Sequence, residues 1–168
     1  MDMSKEASAA VPNRLSVGDT APDFSFVDLE GSTVKISDFR NKSKIVLYFY
    51  PKDFTPGCTT EATEFSKDYK KFVDAGSEII GVSPDNLDSH KKFREKMSIP
   101  YMLASDEKNE ISKTYGVYGS KSFMGKNYDG VNRATFLIDE NGVIVKIFPK
   151  VKPLGHSEEV LGVFHDIR

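Results

Sequence analysis

The apolar run Ile-Val-Leu-Tyr-Phe-Tyr at residues 45–50 constrains the fold of this chain more than any other segment. A run of this length, rich in β-branched and aromatic residues, is typical of a strand that is buried on both faces of a sheet. Pro51 ends the run, and from Thr59 apolar residues recur at helical spacing until Gly76, which is placed to end the helix. A buried strand followed by an amphipathic helix predicts an α/β fold.

The alternation of strand and helix patterns continues to the end of the chain. Further strands are predicted at 78–82, 102–104, 134–138 and 143–148. Further helices are predicted from 86 or 88 to 97, at 110–115 and from 157 onward. Asn141-Gly142 predicts a tight turn between the last two strands, and segments 23–28 and 33–36 predict a small additional hairpin near the N-terminus. The Gly-rich segment 116–130 is predicted to be irregular. This order predicts a thioredoxin-like sandwich, in which helices flank a mixed central sheet.

Composition and charge limit the possible partners and compartments. The 168 residues carry a net charge of −2, without the basic excess that nucleic-acid binders usually show. A single cysteine cannot form an internal disulfide, which favours a reducing compartment. Residues 1–14 lack the apolar core of a signal peptide, and no segment approaches the roughly 20 apolar residues of a membrane span. We expect a cytoplasmic protein with a flexible tail at 1–14 and a single domain at 15–168.

Cys58, the single cysteine, lies where the buried strand gives way to the helix. Unpaired N–H groups and the helix dipole favour a thiolate at such a position. Lowering a thiol pKa from about 8.5 to about 6.5 requires on the order of 2.7 kcal/mol, whereas a helix N-terminus supplies about 2 kcal/mol at best. A cation or further hydrogen-bond donors must therefore contribute. The alternative is that Cys58 is a small buried hydrophobic residue without chemistry.

Thr55 separates this site from a disulfide oxidoreductase. In a redox Cys-x-x-Cys motif, a first cysteine would stand three residues before Cys58, and this chain has Thr55 there. Intramolecular disulfide exchange is therefore excluded, and an activated single thiol remains.

Residues 51–61, Pro-Lys-Asp-Phe-Thr-Pro-Gly-Cys-Thr-Thr-Glu, resemble the peroxidatic motif of peroxiredoxins, in the form found in the bacterioferritin comigratory protein or peroxiredoxin Q subfamily. The resemblance extends from about residue 17 to the C-terminus, with matching order and spacing. Its other landmarks are 18–24, 81–85, 89–90, 105–107, 123–126 and 133–139.

The resemblance implies a thiol-dependent peroxidase without a cofactor, active on hydrogen peroxide and organic hydroperoxides in antioxidant defence. Cys58 would be the nucleophile that is oxidised to a sulfenic acid, and Thr55 would hydrogen-bond the thiolate and the peroxide. Arg133 would supply the cation and Pro51 would shield the sulfur. The substrate would be bound at the N–H groups of Gly57 and Cys58.

Glu61 also matches the motif, and the resemblance implies a supporting role for it. It would orient Arg133 or the first turn of the helix that begins near Cys58.

The sequence departs from the subfamily at the resolving cysteine. Thr63 stands five residues after Cys58, where many members carry a second cysteine, and Arg94 or a neighbour stands where another branch places it. The cycle would therefore use one cysteine, and an external thiol (thioredoxin, glutaredoxin with glutathione, or another small thiol) would reduce the sulfenic acid. A natural Thr63 and a replaced cysteine are both compatible with the sequence.

Two other functions remain open at this point. A thiol transferase would need a cis-proline loop opposite the cysteine, where this chain has Arg133-Ala134-Thr135. A redox sensor or holdase would need no peroxide turnover. The three histidines, His90, His156 and His165, show no ligand-like spacing, so we predict surface positions for them and no metal site. We further expect a monomer that binds neither nucleic acid nor membranes.

Overall fold

A central five-stranded sheet organises the protein. The structure is a computed structural model that describes residues 15–166, apart from the side chains of Phe123, His165 and Asp166. The strands of the sheet are β3 (Lys44–Phe49), β4 (Ser77–Ser83), β5 (Met102–Ser105), β8 (Ala134–Ile138) and β9 (Ile144–Phe148). Their order is β5-β4-β3-β8-β9, with β3, β4 and β5 parallel and β8 and β9 antiparallel to their neighbours. The mixed sheet of the predicted thioredoxin-like fold is confirmed.

The predicted buried strand, β3, lies in the middle of this sheet. Its side chains alternate between two apolar clusters, one on each face of the sheet. Val46 and Tyr48 face the cluster that contains Cys58, as does Tyr50 directly after the strand. Because both faces of the strand are covered, the sequence shows a continuous apolar run rather than an alternating one.

The helices cover both faces of the sheet. Their bounds are α1 (Pro56–Lys67), α2 (Tyr69–Asp74), α3 (Leu87–Met97), α4 (Glu110–Thr114) and α5 (His156–Asp166), and a short 3₁₀ turn spans Ile36–Phe39. None of the helices between residues 15 and 166 combines the length and apolarity that a membrane crossing demands. The small N-terminal hairpin is present as β1 (Ser25–Val27) and β2 (Thr33–Lys35). The predicted tail at 1–14 lies outside the described residues.

One predicted helix is interrupted. The pattern from Thr59 to Gly76 predicts a single helix, but the chain leaves helical geometry at Asp68 and forms α1 and α2. Asp68 is buried and accepts a hydrogen bond from the Ser157 hydroxyl at 2.6 Å. This contact comes from α5, far along the chain, so helical periodicity could not reveal it.

The segment predicted to be irregular is a hairpin instead. Strands β6 (Tyr118–Phe123) and β7 (Lys126–Val131) pair antiparallel as a separate two-stranded sheet. The turn between them places Met124 and Gly125 at φ of 53° and 80°, as a two-residue hairpin turn requires. The prediction was wrong because most side chains of β7 are exposed, so they show no apolar alternation.

Candidate active site

The first turn of α1 holds Cys58 at the end of the central strand. Thr55 has extended backbone geometry immediately before the helix, and Pro56 occupies its first position. The N–H of Thr59 donates to the Thr55 carbonyl at 2.8 Å, while the N–H groups of Gly57 and Cys58 precede the regular helical ladder. Cys58 itself is only 1% exposed and forms part of the core. The sulfur thus lies at a helix N-terminus but beneath the surface.

Arg133 is the cation beside this sulfur. It precedes β8, and its Nη1 lies 3.3 Å from Cys58 Sγ and 2.8 Å from Glu61 Oε1. Burial disfavours the charged guanidinium, but the negative charges of Cys58 and Glu61 outweigh this effect and raise the pKa of Arg133. The structure therefore brings together three residues that are separated by up to 75 positions in the sequence.

Glu61 is a buried carboxylate that forms an ion pair with Arg133. It is 1% exposed, and its Oε2 has no hydrogen-bond donor among the described residues. Burial raises the pKa of Glu61 from 4.5 to about 7, although the Arg133 guanidinium acts in the opposite direction. Glu61 therefore gains or loses its proton near neutral pH, and its ion pair with Arg133 changes with it.

The raised pKa of Glu61 predicts a pH-dependent stability. Below pH 4.5 this carboxyl is protonated in both the folded and the unfolded chain and contributes nothing. Between 4.5 and about 7 only the folded protein retains the proton, so the free energy of unfolding falls as the pH rises. The loss is on the order of 3 kcal/mol and is complete above the folded pKa. Urea unfolding at pH 5 and pH 8 should show this fall in the wild type and a smaller one in Glu61→Gln. Equal falls in the two proteins would contradict the assignment.

Gly57 leaves room for the guanidinium. A β-carbon added at this position would lie 2.9 Å from Arg133 Nη2 and 3.4 Å from Pro153 Cγ. The first distance is shorter than real contacts allow, so any larger residue must displace the end of the arginine side chain.

This packing predicts an unusual result for Gly57→Ala. In a helix, alanine is normally more stable than glycine by about 1 kcal/mol. Here we expect the free energy of unfolding to stay the same or rise, because the flexible arginine can move. The peroxide reduction that the family resemblance implies should fall about 10-fold as the guanidinium leaves the sulfur. Stopped-flow kinetics and urea unfolding measure the two effects, and an unchanged rate would show that the position of Arg133 is not critical.

Pro51 and Thr55, the remaining predicted site residues, lie in the loop before α1. Pro51 is half-buried at the end of β3. The Thr55 hydroxyl donates to the carbonyl of Lys52 at 2.8 Å, and no hydrogen bond to Cys58 is formed. The expected hydrogen bond from Thr55 to the Cys58 sulfur is therefore replaced by one to the backbone. The Thr55 hydroxyl oxygen can still accept a hydrogen bond.

Sequence reasoning missed Lys121 near the site. Its ammonium group, on β6, donates to the carbonyl of Val131 at 2.8 Å. Burial and the nearby positive charge of Arg133 lower the pKa of Lys121, while Cys58 acts to raise it. Lys121 therefore lies within the electrostatic field of the sulfur. A lysine in an exposed polar hairpin gives no signal of this position in the sequence.

The prediction of surface histidines was wrong for two of the three. His90 is fully buried and His156 is 1% exposed, and both rings hydrogen-bond to neighbouring side chains. The side chain of His165 lies outside the described part of the structure. His90 also lies with Asp53 and Asp85 in a group whose potential ligand atoms are all within 4.8 Å of one another. Spacing along the sequence could not show this group, because its members come from two loops and a helix.

Thr63 and Arg94 stand at the two positions expected for a resolving cysteine, and each makes other contacts. Thr63 is exposed on α1 and donates to the Thr59 carbonyl at 2.8 Å. Arg94, on α3, forms an ion pair with Glu30 at 2.6 Å.

A groove of about 760 Å³ lies beside Arg133. Apolar side chains from β8, β9 and the segment after α4 line much of it, among them Tyr115, Val117, Phe136 and Ile147. Cys58 is not one of its lining residues. Arg133 thus lines the groove and also contacts the buried sulfur of Cys58.

Comparisons with known proteins agree on one family. The sequence profile of the AhpC/TSA family matches residues 17–147. Peroxiredoxin Bcp of Bacillus subtilis is 43% identical over 153 residues, covering 91% of this chain and 97% of the relative. Peroxiredoxin Bcp of Escherichia coli is 40% identical over 149 residues, covering 89% and 95%.

Solved structures agree as well. A mutant of peroxiredoxin Q from Xylella fastidiosa superposes with a TM-score of 0.85 at 32% identity, covering 91% of this chain and 97% of that one. The bacterioferritin comigratory protein of Xanthomonas campestris, studied for its alkyl peroxide reduction activity, superposes with a TM-score of 0.80 at 34% identity, covering 85% and 90%.

Proposed function

The chain belongs to the AhpC/TSA family of peroxiredoxins, and we propose that Cys58, Arg133 and the first turn of α1 carry out its thiol-dependent peroxidase reaction. The observation that carries this proposal is the guanidinium of Arg133, whose Nη1 lies 3.3 Å from Cys58 Sγ. The positive charge of Arg133 supplies the thiolate stabilisation that the helix N-terminus alone cannot provide. A charged donor at this distance stabilises a thiolate, which is the nucleophilic form of cysteine.

In the first step, the Cys58 thiolate attacks one oxygen of the peroxide. An S–O bond forms as the O–O bond breaks, and the departing hydroxide or alkoxide takes up a proton and leaves as water or alcohol. The N–H groups of Gly57 and Cys58 bind the peroxide oxygens as negative charge develops on them. Arg133 shares this charge, and Glu61 holds the guanidinium in place at 2.8 Å.

Two residues of the preceding loop complete the substrate site. The Thr55 oxygen accepts a hydrogen bond from the peroxide, because its own proton is donated to Lys52. Pro51 limits the access of water at the end of β3.

In the second step, an external thiol reduces the Cys58 sulfenic acid. The thiol forms a mixed disulfide with Cys58 and releases water. A second thiol then attacks this mixed disulfide, which restores the Cys58 thiol and leaves the two external thiols joined as a disulfide. The single cysteine of the chain fits this one-cysteine mechanism. The proposed reductants are thioredoxin, glutaredoxin with glutathione, or another small thiol.

Both hydrogen peroxide and organic hydroperoxides are proposed substrates, and the alkyl peroxide reduction of the Xanthomonas campestris relative supports the second class. We place the enzyme in the cytoplasm as a monomer, with antioxidant defence as its role and without nucleic-acid or membrane partners. A single unpaired cysteine supports a reducing compartment.

Dependence on an external thiol tests this cycle. Without added thiol, we expect each protein molecule to consume one equivalent of peroxide, with mass spectrometry showing oxidation at Cys58. With thioredoxin or glutathione and glutaredoxin, turnover should continue. Several turnovers without a thiol, or an intramolecular crosslink after oxidation, would contradict the one-cysteine mechanism.

A further inference from the structure

A buried hydrogen-bond network surrounds Asp53, in the loop between β3 and Cys58. Asp53 is 3% exposed, and its carboxylate accepts from three side chains. The Tyr50 hydroxyl lies 2.6 Å from Oδ1, while the Ser89 hydroxyl and His90 Nδ1 each lie 2.8 Å from Oδ2. The Asp53 N–H donates in turn to Asp85 Oδ2 at 2.8 Å. The loop is thus held through both the side chain and the backbone of one residue.

His90 connects this loop to the sheet. Its Nδ1 faces the Asp53 carboxylate, and its Nε2 lies 3.2 Å from the Ala104 carbonyl on β5. A carbonyl oxygen only accepts hydrogen bonds, and so does an ionised carboxylate. Both ring nitrogens thus lie at hydrogen-bonding distance from oxygen atoms of other segments, and the ring of His90 bridges the loop to β5.

The backbone of the next residue shows why the loop needs such support. Phe54 has φ of 68°, a conformation that bulky residues rarely adopt. Its ring packs edge-on against Phe93, with ring centroids 5.1 Å apart. Such a backbone persists only where its surroundings impose it. His90 and Phe93 both belong to α3, so one helix holds two successive residues of the loop.

The hydrogen bonds of the cluster disfavour a bound metal. Asp53 Oδ2 already accepts from Ser89 and His90. Asp85 Oδ2 already accepts from the Asp53 N–H and, at 2.6 Å, from the Ser83 hydroxyl. A cation would have to replace these donors, so the cluster is better explained as a structural network.

We propose that His90 is a positioning residue for the peroxidase reaction, and that its ring, held between β5 and Asp53, fixes the loop leading to Thr55 and Cys58. This inference rests on the proposed function. The geometry of the peroxide site depends on the Thr55 oxygen and on the N–H groups of the first helical turn, and Asp53 lies two residues before Thr55. A loop displaced by about 1 Å would misalign these groups and slow the reaction by up to about 100-fold.

The rate constant of Cys58 oxidation by hydrogen peroxide tests this role. We expect His90→Phe, which keeps the ring but removes both hydrogen bonds, to slow oxidation about 10- to 100-fold in folded protein. Asp53→Asn should have a smaller effect, because the introduced amide can donate to a neutral ring. Asp68→Asn is the matched control, since Asp68 is equally buried at the far end of α1, and it should keep the wild-type rate.

Side-chain nitrogen NMR reports the hydrogen bonding of the His90 ring separately from the rate. In the wild type, the Nδ1 signal of His90 should show a hydrogen bond to Asp53, and this signal should change in Asp53→Asn. A wild-type His90 ring without a hydrogen bond between Nδ1 and Asp53 would overturn the inference, even if His90→Phe fails to fold. An unchanged rate in folded His90→Phe would also overturn it. If hydrogen peroxide does not oxidise Cys58 in the wild type, the proposed function itself would be overturned.

Discussion

Replacing Cys58 by serine is expected to abolish peroxide reduction, with a loss of more than about 1,000-fold. A serine hydroxyl remains protonated at neutral pH, so it offers no comparable nucleophile for the O–O bond. The chain contains no other thiol that could take over. The measurement is peroxide consumption in the presence of excess reducing thiol.

Burial of Cys58 requires a control for folding. The side chain is 1% exposed in an apolar cluster, so serine places a hydroxyl among core residues. Cys58→Ala avoids this cost, and it should be folded and equally inactive. Peroxide consumption by either variant at the wild-type rate would favour the alternative of a redox sensor or holdase.

Replacing Arg133 by methionine is expected to produce the second largest loss. Methionine keeps much of the length of the side chain but removes its charge and its hydrogen bonds to Cys58 and Glu61. A hydrogen bond to a charged group contributes about 1.5–3 kcal/mol, which corresponds to a rate loss of roughly 10- to 150-fold. The rate constant of Cys58 oxidation measures this loss.

A double variant separates the effect on activity from the effect on stability. Arg133→Met leaves Glu61 buried without its charged partner, and Glu61 then retains its proton more strongly. Adding Glu61→Gln replaces this buried, unpaired ionisable group by a neutral amide, so we expect stability to recover while activity stays low. Recovery of activity together with stability would show that Arg133 acts only by satisfying Glu61.

Arg133→Lys provides a further comparison. Lysine retains a positive charge but lacks the planar guanidinium that contacts sulfur and carboxylate with one nitrogen. An intermediate rate is therefore expected.

Local patterns in the sequence were sufficient to predict the frame of the site. The central strand, the helix that follows it and the Asn-Gly turn each depend on neighbouring residues. For that reason their positions could be predicted within a few residues. The requirement for a cation followed from comparing two free energies, and the family resemblance identified the candidate as Arg133.

Other features depend on contacts between distant segments. Asp68, where the helix breaks, accepts a hydrogen bond from Ser157, and the buried ring of His90 contacts Asp53 and Ala104. The hairpin of β6 and β7 is largely exposed, so its strands lack the apolar alternation that marks a buried sheet. The Thr55 hydroxyl donates to the Lys52 carbonyl in its own loop, and the sequence does not determine which acceptor this hydroxyl uses. Sequence patterns report burial and periodicity, but not these pairings.

Thiolate absorbance in the ultraviolet tests the pairing of Cys58 with Arg133 most directly. The signal of Cys58 is the difference between the wild type and Cys58→Ser at neutral pH. We expect a clear thiolate signal in the wild type that is strongly reduced in Arg133→Met. A wild-type thiol that is protonated and unreactive at neutral pH, or an undiminished signal in Arg133→Met, would contradict it.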